Sequence, residues 1–525
     1  MLDMPFLPMR RQGATKLPVM GLMVMAVAGA YAQTVDTQEP VSSGGAKPIF
    51  SVVPRVSVSE TLTDNARLTN VGKQADQITE ISPGIRITSE TGRVKGYFDY
   101  SLRQLIYAQN SVPSTTQNAL NTFGTVEAIE KRAYLDFSGT ISQQAVSAFG
   151  TQSVGNTASN SNLTETSNFR LSPYIRGRLT DATEYEARYS LATTRSQSSI
   201  VSDVTSADTL VKIGSGSGSG FRLLGWSVEG TQQSVNYSAG RTTEADRLRV
   251  VLTYAVTPQF RLSAIGGREA NNYLSFDKQS YDSSGFGVDW TPTERTKLSA
   301  MRENRFFGEG HNFSFEHRTG RTVWRYSDVK DSFSTPSQSG VGSIGSVYDL
   351  FFTQFASIEP DPNLRAQLVN NFLLANGINP NAAVISNFLT SAVSLQRRQN
   401  LSFALLGVRD TVTFMATRSE SSRLDSLSTL VDDFAISSIV RQQGFSVSYA
   451  HRLTPLSSLN AFASQQNTSG STALQDSTLR TFNISVSSLV AKRATATVGV
   501  RRVVFDSNTS PYVETAITGN LTVQF

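Results

Sequence analysis

The sequence predicts an all-β fold: a large antiparallel transmembrane β-barrel of about 22 strands (range about 16–24) with a small helical insert. Three observations lead there. From about Ile49 onward, runs of about ten residues alternate apolar and polar positions between turn residues. The connections between those runs alternate between short and long. The last run, Val513 to Phe525, is amphipathic and closes on an aromatic residue.

Residues 1–32 read as a signal peptide. Arg10, Arg11 and Lys16 precede an apolar stretch from Leu17 to about Ala28, and Ala30-Tyr31-Ala32 supplies a small-x-small cleavage site. The stretch falls short of the roughly 20 residues that a spanning helix needs, which argues against an anchor. Residues 33–48 read as a flexible segment, and 49–525 as the barrel. Only 39% of the chain is hydrophobic, and its mean hydropathy is −0.19. That is too polar for a helical inner-membrane protein, whereas a barrel with a wet lumen needs only every second strand residue apolar.

The strand runs include "FSVVPRVSVSE", "DQITEISPGIRITSE", "FRLSPYIRGRLT", "RLRVVLTYAV", "GFSVSYAHRL" and "ATATVGVRRVVF". Tyr, Phe, Val, Ile and Thr dominate them, as a pleated surface favours. Short connections are Glu90-Thr91-Gly92, Thr180-Asp181, Thr257-Pro258, Thr291-Pro292, Thr319-Gly320 and Thr454-Pro455. Long polar ones cover 61–75, 108–122, 151–163, 196–219, 420–433 and 467–476. Outer-membrane barrels have this asymmetry, with the short turns periplasmic. No fixed repeat period supports a propeller or solenoid.

In the final run, Val513, Thr515, Ile517, Gly519, Leu521, Val523 and Phe525 share one face, opposite Glu514, Ala516, Thr518, Asn520, Thr522 and Gln524. An exposed edge strand with an apolar face is an aggregation hazard, and closing a barrel removes the edge. Leu521, Val523 and Phe525 are then the expected signal for the barrel-assembly machinery, with outer-membrane lipid against the apolar face.

A charge on the lipid face costs roughly 2–4 kcal/mol at the midplane. Arg86, Arg103, Arg176, Arg178, Arg188, Arg249, Arg261, Arg325 and Arg501 fall opposite the more apolar face of their strands, so they are expected to line the lumen. Asp99, Glu184, Glu186 and Glu514 take the same side. Two readings stay open. These charges either wet a wall and pair with one another, or form a basic track for an anionic solute, since arginine forks suit carboxylates.

Residues 346–396 break the β pattern. Leu364, Leu368, Phe372 and Leu373 have helical spacing after Asp361-Pro362, Gly377 sits at a C-cap, and Asn379-Pro380 opens a second helix. The segment is expected to form a plug or lid over the lumen, with packing filler or a periplasmic docking element as alternatives.

Signals for chemistry are thin. His311, His317 and His451 are the only histidines, no HExxH is present, and there is no cysteine. No catalytic residue, metal site or cofactor is expected, and a hydrolase site near His311 is the residual enzymatic alternative. The Gly/Ser run 214–220 reads as a loop. The net charge of +5 falls to +3 once the leader's three cations and one carboxylate are removed, which gives no indication of nucleic-acid binding.

Several phrases are more specific than barrel grammar requires: "TLTDNARL" (61–68), "ISPGIRI" (81–87), "DYSL" (99–102), "LSPYIRG" (171–177), "WTPTERT" (290–296), "RFFGEG" (305–310), "HRTGRTVW" (317–324) and "DPNLRAQL" in the insert. In this order they resemble the outer-membrane β-barrel family associated with PEP-CTERM/exosortase systems and exopolysaccharide clusters. The resemblance implies a non-enzymatic channel or accessory for exopolysaccharide export or surface retention, with periplasmic export components as partners. It carries over no binding residue. A general diffusion porin is the alternative.

Overall fold

The computed structural model describes residues 50–525, apart from 199, 216–222, 335–387, 391, 426 and 428–431. The expected leader and the segment 33–48 lie outside the described residues. So does 346–387, most of the expected helical insert.

The wall is a single sheet of 22 antiparallel strands. In chain order they are β1 (Phe50–Thr63), β2 (Asp76–Glu90), β3 (Val94–Tyr107), β4 (Thr115–Ile129), β5 (Ala133–Ala145), β6 (Leu163–Thr180) and β7 (Thr183–Ser196). Then come β8 (Val204–Ser215), β9 (Leu224–Tyr237), β10 (Thr243–Thr257), β11 (Phe260–Asn271), β12 (Gln279–Thr293), β13 (Thr296–Arg305), β14 (Gly308–Arg318) and β15 (Thr322–Phe333). The last are β16 (Ser394–Leu406), β17 (Asp410–Arg423), β18 (Ile439–Arg452), β19 (Ser457–Ser469), β20 (Ser477–Ala491), β21 (Ala494–Ser507) and β22 (Tyr512–Gln524). Each strand pairs with its sequence neighbours, and β1 pairs with β22 from Arg55↔Gln524 to Thr63↔Ala516. The barrel is closed. Its strand number is the one the alternation predicts.

Register sorts the side chains. Val52, Val56 and Val58 on β1, Leu248, Val250 and Leu252 on β10, and Ile517 and Leu521 on β22 all point outward and are exposed. An apolar band running round the whole wall has no place in water, so this is the surface of a membrane-spanning barrel. Arg55, Asp99, Arg188, Glu186, Arg249 and Glu514 alternate with such residues and point inward.

The short turns share a device. Threonine hydroxyls at Thr91, Thr180, Thr257, Thr293, Thr319 and Thr454 accept from backbone N–H groups two or three residues on, at 2.8–3.3 Å. A side chain that closes the turn on itself leaves no room for extra residues. Register shifts just before the turn in β6, β10, β12 and β20 add the local twist that a tight connection needs.

Two expected loops are corrected. Residues 115–122 belong to β4 and 204–215 to β8. Strands of 12–18 residues exceed the 9–11 or so that cross the hydrocarbon. Their long-loop ends therefore carry no lipid-imposed alternation, and polar sequence there resembles loop. Likewise Ser394–Gln396, placed in the insert by its helical spacing, opens β16.

Candidate functional site

Apolar burial concentrates at the long-loop end. Residues 146–162, between β5 and β6, leave the wall and cross the mouth. Their Ser, Asn and Gln content reads as a solvated loop, yet the segment is braced by its own amides. Asn162 accepts from Ser147 N–H at 2.9 Å and donates to the Ser147 carbonyl at 2.8 Å. Gln152 donates to the carbonyls of Ser147 and Gly150, both at 3.1 Å, and Asn160 to that of Thr151 at 2.9 Å.

The segment reaches three stretches of wall. Towards β1 and β3, Ser159 N–H donates to the Ala66 carbonyl at 2.9 Å, and the Tyr107 hydroxyl to the Thr157 carbonyl at 2.8 Å. Towards β22, the Tyr512 hydroxyl donates to the Gln152 carbonyl at 2.6 Å. Here Ala158 packs with Leu68, Leu479, Val503, Phe505 and Tyr512. Towards β18, a short helix α1 (Asp433–Ile436) offers Asp433, whose carboxylate accepts from the Ser147 hydroxyl and from Ala148 N–H, the latter at 2.7 Å. Ala148 packs there with Ala392, Phe434 and Val440. Asp432 caps α1 through Phe434 N–H at 3.1 Å and accepts from Thr390 at 3.0 Å.

By the shorter way round the wall, β5 and β18 stand nine pairings apart. At ~4.8 Å per strand and ~40° tilt, a circular wall separates them by on the order of 40 Å. Contact between their loops can only run across the opening. Residues 388 and 389 add to the bridge: Phe388 pairs with Ala145, and Leu389 joins Val146 and Val201 in a cluster. The lid is thus built from a segment the sequence reading left as loop. Of the element expected to be the lid, residues 346–387 lie outside the described residues, and its described end joins this bridge.

Beneath the bridge, every arginine expected to line the lumen faces inward by register. Arg86 shares Asp99 with Arg55, at 2.6 and 2.5 Å. Arg188 holds Asp136 at 2.7 Å and Glu186 at 2.9 Å and lies 3.8 Å over the Tyr174 ring. Arg501 holds Glu514 at 2.8 Å, and Arg249 lies 3.6 Å from Glu303. Arg103 and Arg178 sit at 3.8 and 3.6 Å from Glu80 and Glu184. Arg176 stacks 4.5 Å over Tyr134, while Arg261 is exposed near the short-turn end. Arg325 also faces inward. Arg55, Arg247 and Arg305 were missed, although each has the inward parity of its strand. Most of these guanidiniums are already neutralised, which favours a paired, wetted wall over a basic track.

A lumenal cavity of about 290 Å³ lies between β7 and β15, below the long-loop rim. Arg305 joins Glu269 and Asp331 on one side of it, at 2.8 and 2.5 Å, and the Tyr273 and Phe306 rings lie tilted with centroids 5.6 Å apart. Among the described residues, Asp208, opposite, accepts only from neutral donors, Gln233 at 2.7 Å and Ser206 at 3.4 Å. Among the described residues, Asp208 is the carboxylate of this cavity without an ion pair, while Arg188, Arg247 and Arg305 are each ion-paired. The cavity suits a small solute rich in hydrogen-bond donors.

The histidines build no site. His311 meets Asp328 at 3.0 Å on the outward face of the wall, His317 bonds Thr296 there, and His451 bonds Asp410 at a short turn. Among the described residues, no group of three or more His, Cys, Asp and Glu is placed to hold a metal.

No family model and no curated protein matches the chain. Solved barrels do. The siderophore receptor PirA from Pseudomonas aeruginosa matches with a TM-score of 0.45 and 10% identity, over 91% of this chain and 81% of that one. The FrpB iron transporter from Neisseria meningitidis, in its apoprotein form, matches with a TM-score of 0.49 and 9% identity, over 90% and 81%. The ferric enterobactin receptor of Pseudomonas aeruginosa gives 0.46 and 11%, over 90% and 80%. At these identities the likeness is one of fold. The proteins named are siderophore and iron receptors and transporters rather than enzymes. The expectation of an exopolysaccharide export or retention channel is corrected on that finding. The diffusion-porin alternative goes with it, since the mouth is bridged rather than open.

Proposed function

We propose that this chain is a gated uptake barrel of the outer membrane, which admits a small polar solute past a hinged lid. The bridge of residues 146–162 across the mouth carries the reading. It is held by side-chain bonds, a backbone bond from Ser159 to Ala66 and small apolar clusters instead of by a strand ladder, so it can release while the wall stays shut. The asymmetry of short turns and long loops puts the lid on the extracellular side. The cavity below it offers Asp208, amides and an aromatic pair. Iron and siderophores in the names of the matched barrels belong to those proteins; the solute class proposed for this chain comes from its own cavity. Insertion by the barrel-assembly machinery through Leu521, Val523 and Phe525 is part of the proposal. So is membership of the PEP-CTERM-associated barrel family on motif grounds, without the polysaccharide.

Planar-bilayer recording tests it. The parent protein is expected to conduct little, and replacing residues 147–161 by a short Gly/Ser linker to raise single-channel conductance several-fold. A parent conductance already equal to that of the linker variant overturns the gated reading.

A further inference from the structure

The outward face of β15–β19 departs from the rest of the wall. Across these strands, register lines up successive rungs. Trp324, Phe403, Phe414 and Val447 form an aromatic and aliphatic one. Above it come Tyr326, Leu401, Ala416, Phe445 and Gln465, then Asp328, Gln399, Arg418, Gln443 and Asn467, then Lys330, Arg397, Glu420 and Arg441. The wall passes from apolar to cationic over six residues, about 20 Å of strand. A groove of about 510 Å³ opens at the crossover, floored by Leu401, Phe414, Ala416 and Phe445 and headed by Arg418.

The floor exists because a small residue adjoins large ones: Ala416 leaves a hollow between the flanking Phe414 and Phe445 rings. At its head the charges do not balance. Arg397 holds Asp328 at 2.7 Å and Arg441 holds Glu420 at 3.3 Å. Arg418, which is exposed, and Lys330 have no ion pair or hydrogen bond from their side chains among the described residues. An apolar trough ending at Arg418, with Lys330 one rung further along and two strands away, is complementary to an amphiphile with an anionic head. Guanidinium matches phosphate oxygens in a fork, and ammonium adds a point charge.

We propose that this groove binds a phosphorylated glycolipid of the outer leaflet. One acyl chain lies over Ala416 between Phe414 and Phe445, and a head-group phosphate sits on Arg418 and Lys330. The site is separate from the lid and the lumen. It rests on the proposed orientation, with the long loops outside, for the choice of leaflet.

The test is native mass spectrometry of the purified full chain in detergent, titrated with bisphosphorylated lipid A, its dephosphorylated form and phosphatidylglycerol. The parent is expected to retain one bisphosphorylated lipid A, and to retain the other two at least ten-fold less. Arg418→Glu and Ala416→Trp, each confirmed as folded by heat-modifiable gel migration, are expected to lose that retention at least ten-fold. Arg418→Gln should fall between. Arg268→Glu, outward on β11 and away from the groove, should match the parent. Equal retention of phosphatidylglycerol, retention that survives dephosphorylation, or retention unchanged in both Arg418→Glu and Ala416→Trp overturns the proposal. None of these readouts depends on conductance, so the lid reading stands or falls separately.

Discussion

Asp433 makes docking of the lid depend on pH. Burial pushes its carboxyl up from 3.8 to about 6, the charge of Asp432 adds to the rise, and the bonds from Ser147 and Ala148 partly offset it. With the lid released the group returns to the ordinary range near ~3.9. The docked state therefore binds the proton more tightly. Below about pH 4 both states are protonated and docking is at full strength. Between about pH 4 and about pH 6 the released state ionises while the docked one stays neutral, so docking weakens as pH rises. Above about pH 6 both are ionised and the loss is complete. Two pKa units correspond to about 3 kcal/mol, or on the order of 100-fold in the ratio of released to docked lid. The chain has no cysteine, so Ala158→Cys places a single thiol in the buried face of the lid. Its reaction rate with a methanethiosulfonate, divided by that of Val71→Cys at an 86% exposed position, should rise tens-fold from about pH 4.5 to about pH 7.5. Asp433→Asn keeps an acceptor for Ala148 and removes the titration, so its ratio should be flat. A flat ratio in the parent, or a slope that survives Asp433→Asn, refutes the reasoning.

Tyr512→Phe deletes the donor to the Gln152 carbonyl and leaves that acceptor unmet. It should weaken docking by about 1–3 kcal/mol, seen as faster labelling of Ala158→Cys at every pH. Glu514→Gln strands Arg501 in a setting where the two side chains are 2% and 13% exposed. The loss of about 3 kcal/mol expected for a broken buried pair should lower the temperature at which the barrel loses heat-modifiable migration. Removing both partners should cost less than removing either one. Phe525→Asp puts a charge on the outward face at the end of the closing strand, and should cut the amount of protein recovered in the outer membrane; recovery at the parent level counts against an assembly role.

The wall was legible because lipid imposes a strict rule on sequence. Within the hydrocarbon every outward residue must be apolar, so Val250, Leu252 and Tyr254 declare one face and Arg249 the other. Above the hydrocarbon the rule lapses. There β4 and the start of β8 carry Thr, Asn, Gln and Ser on both faces and read as loops, although ladder bonds hold them as strands. The lid was illegible for a different reason. What fixes residues 146–162 is Asn162, Asn160 and Gln152 satisfying nearby carbonyls, and Asp433 meeting Ser147 from 286 positions away in sequence. Such partners leave no periodic trace. The lumen arginines were legible in direction but not in state: parity turns Arg188 inward, while its neutralisation by Asp136, 52 positions earlier, depends on strand order round the barrel.

The contrast between wall and lid says where motion belongs. Each strand is bonded on both sides, and the seam from Arg55↔Gln524 to Thr63↔Ala516 is as regular as any other pairing. Opening the wall anywhere would expose two rows of backbone groups to lipid, at several kcal/mol for each unsatisfied group. The lid has no such rows. Its hold on the wall consists of a few hydroxyl, carboxylate and amide bonds and clusters built around Ala148 and Ala158, each bond contributing on the order of 1 kcal/mol net. Releasing it exposes polar backbone to water, which can replace the bonds lost. Local opening at this end is therefore cheaper than any breach of the wall. Asp433 lowers it further at neutral pH, because a carboxylate that resists ionisation while docked favours release once it ionises. The charged group holds Ser147 and Ala148, two and three residues past the end of β5, so its ionisation frees the foot of the lid on that side and with it the start of the whole segment.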